Sequence, residues 1–228
     1  SKLAMPETHI GLFPDVGGGY FLSRCPGRLG EYLALTGQVM AGRDALSVGL
    51  ADGHIDSGRL PGLWASLAQT PFENGSSVER WCSSHLNTTP AVPPWPVKDV
   101  DRVFGLPDVP SIIKALADAD TPWAGATLAA LRQRSPTLLC VSLEQIRRAR
   151  GMGLADDLRM ERGLVRRCFH LRPGAGSETA EGIRALAIDK DHAPRWHPAT
   201  IEEVTAEQTA AFFEPPWPAH AHPLRNLA

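Results

Sequence analysis

Residues 5–21 read MPETHIGLFPDVGGGYF and carry the densest chemistry of the chain. Two carboxylates in this segment, Glu7 and Asp15, stand among apolar residues and prolines. Loops at the ends of strands often carry catalytic groups, because a rigid scaffold positions them. A carboxyl group in an apolar pocket has a raised pKa, and a second carboxylate nearby drives the two pKa values apart. The segment therefore predicts an acid–base pair that works near neutral pH.

A purely structural interpretation of the same segment is also open. Asp15 would then be an N-cap, accepting a backbone N–H at the start of the helix that Gly17–Gly19 opens, and Glu7 would be an ordinary loop residue. The glycine run does not follow the spacing of a dinucleotide-binding fingerprint or of a P-loop, so the pattern gives little support to nucleotide-phosphate binding.

Composition narrows the function classes. The chain has 228 residues, 43% hydrophobic and 21% charged, with a formal net charge of −2. Without a basic excess, nucleic acids and acidic membrane surfaces are not expected partners. No apolar run reaches the roughly 18 residues that cross a bilayer. The four cysteines are widely spaced and form no C-x-x-C pair, so we expect reduced thiols and no metal site.

The order of turn and periodicity signals predicts an organisation in four parts. Residues 1–87 should form the end of an α/β core, with short strands at Lys2–Met5 and Ala51–Ile55 and helices between them. Residues 88–99 are rich in proline and predict an extended linker. Residues 100–214 show helical periodicity, including a helix start at Ser135-Pro136-Thr137, and residues 215–228 predict an irregular tail.

The segment from Met5 to Leu22 resembles the signature of the 3-hydroxyisobutyryl-CoA hydrolases, which belong to the enoyl-CoA hydratase/isomerase, or crotonase, superfamily. The likeness continues in residues 29–37, 42–45, 49–52, 135–137, 160–161, 181–186 and 188–196. This resemblance implies an α/β fold, with a partial crotonase-type spiral core followed by a mainly helical C-terminal region.

The resemblance also implies an activity, which is hydrolysis of 3-hydroxyisobutyryl-CoA, or a close β-hydroxyacyl-CoA, to the free acid and coenzyme A, as in valine breakdown. No cofactor is implied, because coenzyme A is part of the substrate. The implied partners are the acyl-CoA and either further copies of the chain in a homo-oligomer or a missing N-terminal segment. The implied location is the cytoplasm in a bacterium and the mitochondrial matrix in a eukaryote.

Roles follow from the resemblance for individual residues. Glu7 matches the catalytic glutamate, which attacks the thioester or activates water, and Asp15 matches the acidic residue that contacts the 3-hydroxy end of the substrate and assists proton transfer. The residues expected to bind substrate are Pro6, Gly11, Phe13 and Lys190.

Three alternatives stay open beside the hydrolase. Related hydratases typically have glycine where Asp15 stands, and dienoyl-CoA isomerases pair a glutamate with an aspartate at this spacing but lack the signature of residues 188–196. A non-catalytic fragment or subunit is the third, because the family takes its oxyanion-hole N–H groups from segments upstream of the Met5 motif. Gly17–Gly19 is the local candidate for such donors. Residues 175–180 also depart from the family pattern.

Overall fold

The computed structural model describes residues 1–174 and 176–228. Two short strands pair in antiparallel register, β1 (Lys2–Leu3) and β2 (Met40–Ala41). The helices are α1 (Gly18–Ser23), α2 (Leu29–Thr36), α3 (Gly42–Ser47), α4 (Leu60–Gln69), α5 (Gly75–His85), α6 (Val97–Phe104), α7 (Val109–Asp118), α8 (Pro122–Leu131), α9 (Pro136–Ala149), α10 (Leu154–His170), α11 (Glu178–Ile183) and α12 (Ala206–Phe213). A 3-10 turn covers Glu7–Ile10, and α11 continues as a wider π-helical turn over Arg184–Ile188.

The chain divides into two compact units. The smaller unit holds residues 1–3 and 40–94, with the two strands and α3 to α5. An isolated antiparallel bridge joins His54 and Asn87 inside this unit. The larger unit holds residues 4–39 and 95–228, with α1, α2 and α6 to α12. The acidic segment of residues 5–21 lies in the larger unit.

Local sequence signals explain why three helices of the larger unit begin where they do. Asp108, Thr121 and Ser135 are the N-caps of α7, α8 and α9, and each side-chain oxygen accepts a backbone N–H three residues later, at 2.8–3.2 Å. A proline follows in the first turn of each helix. Proline fits there because its missing N–H would have no helical partner.

The core of the larger unit forms around Phe13, which is fully buried. It packs in one cluster with buried side chains of α9, α10 and α12, namely Leu138, Val141, Leu164, Cys168 and Phe212. Helix α9 also packs against α1 and α2. Phe13, which lies between Glu7 and Asp15 in the sequence, therefore attaches the acidic segment to the helical core.

The structure differs from the sequence-based expectations in three places. Helix α6 begins at Val97, so the last three residues of the expected linker are helical, because the helix buries Val100, Val103 and Phe104. Residues 51–55 form no strand; only His54 pairs, in the bridge to Asn87. Residues 4–39 pack with the C-terminal helices, whereas the expected boundaries group them with the rest of residues 1–87. The physical reason is Phe13 together with α1 and α2, which bury their apolar faces against α9. The four-part domain division itself stays a prediction.

In the part of the chain that the structure describes, membrane-spanning length and apolarity do not occur together in any helix.

Candidate active site

Glu7 begins the 3-10 turn of residues 7–10, and neighbouring helices hold that turn in position. The buried hydroxyl of Thr8 donates to the carbonyl of Leu35 at the end of α2, at 3.2 Å. The backbone N–H of Ser135, the N-cap of α9, donates to the carbonyl of Thr8 at 3.4 Å. The turn is thus fixed between the end of one helix and the start of another, which gives Glu7 a rigid base.

Two glycines allow this turn to approach α11 backbone to backbone. Gly11 ends the turn at φ +63°, and a Cβ built there would overlap the carbonyl of Glu178. On the other side, a Cβ on Gly182 would overlap the backbone of Ile10. The hydroxyl of Thr179 donates to the carbonyl of Gly11 at 2.5 Å and closes the contact. The close approach therefore requires glycine at both positions.

The carboxyl group of Glu7 is half-buried and not committed to a structural partner. Its Oε2 is buried and has no hydrogen-bond partner among the described residues. Burial raises its pKa from the ordinary 4.5 to about 7, a backbone hydrogen bond opposes the shift, and the negative charge of Asp15 adds to it. A carboxyl group that titrates near pH 7 can both accept and return a proton during a reaction.

Asp15 lies close enough for its charge to act on Glu7, and burial raises its own pKa as well. The side chain of Asp15 is not the N-cap of α1, so the purely structural interpretation of this residue is wrong. The N–H of Gly18 donates to the backbone carbonyl of Asp15, at 2.9 Å, and the N-cap position belongs to Gly17. The next residue, Val16, is 82% exposed and has a left-handed φ of 59°, which is strained for a β-branched side chain.

A second pair of carboxylates, on α10, holds the glycine run that follows Asp15. Glu161 accepts the N–H groups of Gly17 and Gly19 at 2.7 and 3.0 Å, and Asp157 accepts that of Tyr20 at 2.9 Å. Sequence analysis missed this role, because these acids are separated from their partners by more than 130 positions. Their helical spacing of four residues and the family likeness at residues 160–161 were signals in the sequence, but neither indicates the glycine run as the partner.

Gln145 of α9 completes this support. Its amide nitrogen donates to the carbonyl of Pro14 at 2.6 Å and to Glu161 at 3.2 Å. Burial raises the pKa of Glu161 to about 8, against the effect of its two N–H donors, and the neighbouring Asp157 raises it further. Burial also raises the pKa of Asp157.

The N–H groups of Gly17–Gly19 are therefore occupied. Glu161 takes two of them and the carbonyl of Asp15 takes the third. An oxyanion hole needs donors that are free to point at the developing negative oxygen. The glycine run, the local candidate for such donors, does not offer them in this structure.

The residues expected to bind substrate fall into two groups. Pro6 and Lys190 are exposed and accessible to a ligand. The acids beside Lys190, Asp189 and Asp191, form ion pairs with Arg184 at 2.6 and 2.7 Å. Their charges are thus partly neutralised, and the binding role of Lys190 stays a prediction.

The expected binding roles of Gly11 and Phe13 do not fit their positions. Phe13 is fully buried in the helical core, so its ring presents no surface to a ligand. Gly11 is buried against the backbone of Glu178, where its role is steric. Both residues are near Glu7 in the sequence, but Phe13 packs in the core and Gly11 permits the close approach of α11.

A large cavity in the structure lies away from the acid pair and does not mark the candidate active site. A cavity of about 410 Å³ lies between α7, α9 and α12 and is lined by residues such as Cys140, Arg147 and Thr209. Burial raises the pKa of the Cys140 thiol to about 12, so this sulfur is a poor nucleophile at neutral pH. The acid pair of Glu7 and Asp15 is the stronger candidate because its carboxylates are perturbed and uncommitted.

Comparison with known proteins identifies the family. A family model described as enoyl-CoA hydratase/isomerase matches residues 1–213. The 3-hydroxyisobutyryl-CoA hydrolase, mitochondrial, of Gallus gallus is 38% identical over 93% of this chain and 55% of its own length. A probable 3-hydroxyisobutyryl-CoA hydrolase of Arabidopsis thaliana is 37% identical over 92% of this chain and 57% of its own length.

Two solved structures of acyl-CoA hydratase and dehydratase enzymes are also similar to this chain. A crystal structure of an enoyl-CoA hydratase from Rhodobacter sphaeroides superposes with a TM-score of 0.80 at 34% identity, over 94% of this chain and 60% of that one. A carnitinyl-CoA dehydratase from Mycobacterium thermoresistibile gives 0.76 at 35% identity, over 94% and 59%.

The chain belongs to the enoyl-CoA hydratase/isomerase family. Within that family it is similar to proteins named 3-hydroxyisobutyryl-CoA hydrolases. The expected fold class, a partial crotonase-type α/β core followed by a mainly helical region, is confirmed. The chain spans a little over half the length of these curated relatives.

Proposed function

We propose that this chain carries the acid–base residues of an acyl-CoA thioester hydrolase that acts on 3-hydroxyisobutyryl-CoA or a close β-hydroxyacyl-CoA. The observation that carries the proposal is the pair of Glu7 and Asp15, in which Glu7 has a buried, unpartnered oxygen and a pKa of about 7. The relatives named 3-hydroxyisobutyryl-CoA hydrolases support the choice of substrate.

In the proposed reaction Glu7 acts on the thioester carbonyl in one of two ways. As a nucleophile, its carboxylate forms an acyl anhydride and expels the coenzyme A thiolate, and water then cleaves the anhydride. As a general base, it takes a proton from the attacking water and the thiolate leaves with a proton returned by the site. Asp15 contacts the 3-hydroxy end of the acyl group and assists the transfer of the proton between water and the leaving thiolate in both versions.

The negative oxygen that develops on the thioester carbonyl needs donors other than Gly17–Gly19, because Glu161 and Asp15 occupy those N–H groups. The proposal therefore assigns the oxyanion hole to segments outside the glycine run. An oxyanion donor contributes about 3 kcal/mol to transition-state stabilisation in enzymes where it has been removed. Turnover by the 228-residue chain alone is the quantity that tests whether such donors are within reach.

The test is hydrolysis of 3-hydroxyisobutyryl-CoA, followed with a thiol reagent that detects free coenzyme A. We expect Glu7→Gln to lower kcat by about 10²- to 10⁴-fold, because loss of a general acid–base group has this effect. Glu73→Gln, at an exposed position, is the matched control and should keep wild-type turnover. Wild-type activity in Glu7→Gln would contradict the assignment.

Two alternatives have their own readouts. Similarity to the Rhodobacter sphaeroides enoyl-CoA hydratase favours hydration, which would appear as loss of the conjugated thioester absorbance of an enoyl-CoA without release of thiol. A folded chain that turns over neither substrate would favour the fragment alternative. Restoration of thiol release by adding the N-terminal segment of a relative would then show that the acid pair is competent.

A further inference from the structure

Arg134 is buried, 5% exposed, and only part of its guanidinium is satisfied. Its Nη2 donates to the carbonyl of Thr36 at 2.8 Å, while Nε and Nη1 have no partner among the described residues. Burial lowers its pKa to about 10, so it still carries a positive charge at neutral pH. A buried charge without a counter-charge is unfavourable, and its free N–H donors indicate a missing acceptor.

A cavity of about 370 Å³ lies beside this side chain. Its polar lining consists of His9, Arg132, Gln133, Arg134, His192 and Trp196. Among the described residues that line it there is no carboxylate, and every lining group that can carry charge is cationic. Such a cavity attracts anions, because its lining supplies positive charge and N–H donors and lacks a competing acceptor.

Arg132 adds a second unneutralised cation. It is exposed, lines the same cavity and forms no ion pair within residues 1–174 and 176–228. The acids of the adjoining segment are committed elsewhere, since Arg184 pairs with Glu181, Asp189 and Asp191. Glu202 lines a neighbouring cavity together with both arginines but forms no ion pair with either, so no ion pair among the described residues neutralises them.

His9, which also lines the cavity, lies close enough to Arg134 to feel its positive charge. Burial lowers the pKa of His9, and the positive charge of Arg134 lowers it further. Its Nδ1 lies 3.1 Å from the carbonyl of Pro6, which orients the ring on the same turn that carries Glu7.

We propose that this cavity binds a phosphoryl group. The planar forks of Arg132 and Arg134 match tetrahedral phosphate oxygens, and a dianion balances two guanidinium charges where a single carboxylate would not. Trp196 and Gln133, whose side chains carry N–H donors, line the same cavity. The proposal concerns binding and does not rest on the reaction assigned to Glu7 and Asp15.

Calorimetric titration of the 228-residue chain with sodium phosphate, against sodium chloride of equal ionic strength, tests the site. We expect saturable 1:1 binding in wild type and at least about a tenfold weaker Kd in Arg132→Gln and in Arg134→Gln. Arg43→Gln, at an exposed position away from the cavity lining, is the control and should bind as wild type does. Absence of saturable phosphate binding, or undiminished binding by Arg132→Gln, would overturn the proposal.

Arg132→Gln keeps the test decisive if Arg134→Gln fails to fold, because Arg132 is exposed and Arg134 bonds Thr36. A second titration, with coenzyme A, distinguishes the source of the phosphoryl group. A loss of coenzyme A affinity in Arg132→Gln would identify the phosphates of the thioester substrate. Phosphate binding with unchanged coenzyme A affinity in this variant would identify free phosphate. Neither result depends on turnover, so this proposal and the proposed hydrolase can fail separately.

Discussion

The larger unit contains two pairs of acidic side chains. Both pairs have raised pKa values, but the two pairs differ in the hydrogen bonds that their oxygens accept. Burial raises the pKa values in both the Glu7–Asp15 pair and the Glu161–Asp157 pair, and the pKa of one member reaches about 7 or 8. In the α10 pair, both carboxylate oxygens of Glu161 accept backbone N–H groups of the glycine run, and Oδ2 of Asp157 accepts that of Tyr20. Oδ1 of Asp157 has no partner among the described residues, so the contrast lies between the two glutamates. In the first pair, an oxygen of Glu7 is left without a partner.

The difference shows that a raised pKa does not by itself mark a catalytic carboxylate. Glu161 is the more strongly perturbed of the two glutamates, yet its oxygens satisfy the start of α1 and position the loop that carries Asp15. For the two glutamates, an oxygen that is free to form a new hydrogen bond separates the reactive candidate, Glu7, from the structural one, Glu161.

Removal of the structural carboxylate should have the largest effect on stability. Glu161→Ala leaves the buried N–H groups of Gly17 and Gly19 without acceptors, so we expect the free energy of unfolding to fall by about 3 kcal/mol. Urea denaturation at pH 6 measures it. Glu144→Ala, which removes an exposed ion pair with Arg148 on α9, should change stability by less than about 1 kcal/mol. Equal effects of the two variants would refute the structural role of Glu161.

Glu161→Gln sharpens the comparison, because it keeps the shape and removes one acceptor oxygen. One of the two N–H groups then lacks a partner, so we expect a loss of about 1.5 kcal/mol at pH 6. Between about pH 4.5 and pH 8 the folded wild type keeps the Glu161 proton that the unfolded chain releases, so its stability falls across this window and levels off above it. The difference between the two proteins should therefore be smaller at pH 9 than at pH 6. Denaturation curves at pH 6 and pH 9 test this, and a difference that grows with pH would contradict the proton assignment.

Neutralising Glu7 should stabilise the protein at high pH. The folded state holds this proton up to about pH 7, whereas the unfolded chain releases it near 4.5. The folded state therefore binds more protons between these values, and stability falls as pH rises through that window. We expect Glu7→Gln to be more stable than wild type by about 1 kcal/mol at pH 8.5, allowing for partial solvent exposure, and similar to it below pH 4.5. A variant less stable than wild type at pH 8.5 would show that Glu7 has a structural partner after all.

Asp15→Asn should give the smallest effect in the series. Burial raises the pKa of Asp15, so stability linked to this group also falls as pH rises through its titration. The group is half-exposed, and we expect a gain of only a few tenths of a kcal/mol at pH 8.5. Thermal unfolding of wild type and variant at pH 5 and pH 8.5 measures it. A large loss of stability would show that the carboxylate of Asp15 has a structural partner.

Local features of the fold could be predicted from the sequence. The start of α9 follows from Ser135-Pro136, because a capping hydroxyl and a proline in the first turn act within four residues. The end of α2 at Gly37, which has a φ of +65°, follows from the same kind of short-range preference. The acidic segment was also visible, because its residue types and spacing are contiguous.

Features that depend on distant partners could not be predicted. Glu161, Asp157 and Gln145 reach the segment of residues 14–20 from helices more than 130 positions away. Residues 51–55 resemble a strand in composition, yet pairing requires a neighbour, and only His54 has one, in Asn87. The free donors of Arg134 likewise became apparent only when its surroundings were known.

The close contacts of Gly11 with Glu178 and of Gly182 with Ile10 have a consequence for recognising distant sequences with this geometry. A carboxylate at position 7 is compatible with many backbone conformations. At Gly11 or Gly182, by contrast, a Cβ would overlap the facing backbone, so the short distance between the turn and α11 requires glycine. A homologue that keeps Glu7 and Asp15 but has larger residues at both glycine positions must move α11 away from the turn. The spacing of these two small residues is therefore a more selective fingerprint of the architecture than the acids themselves.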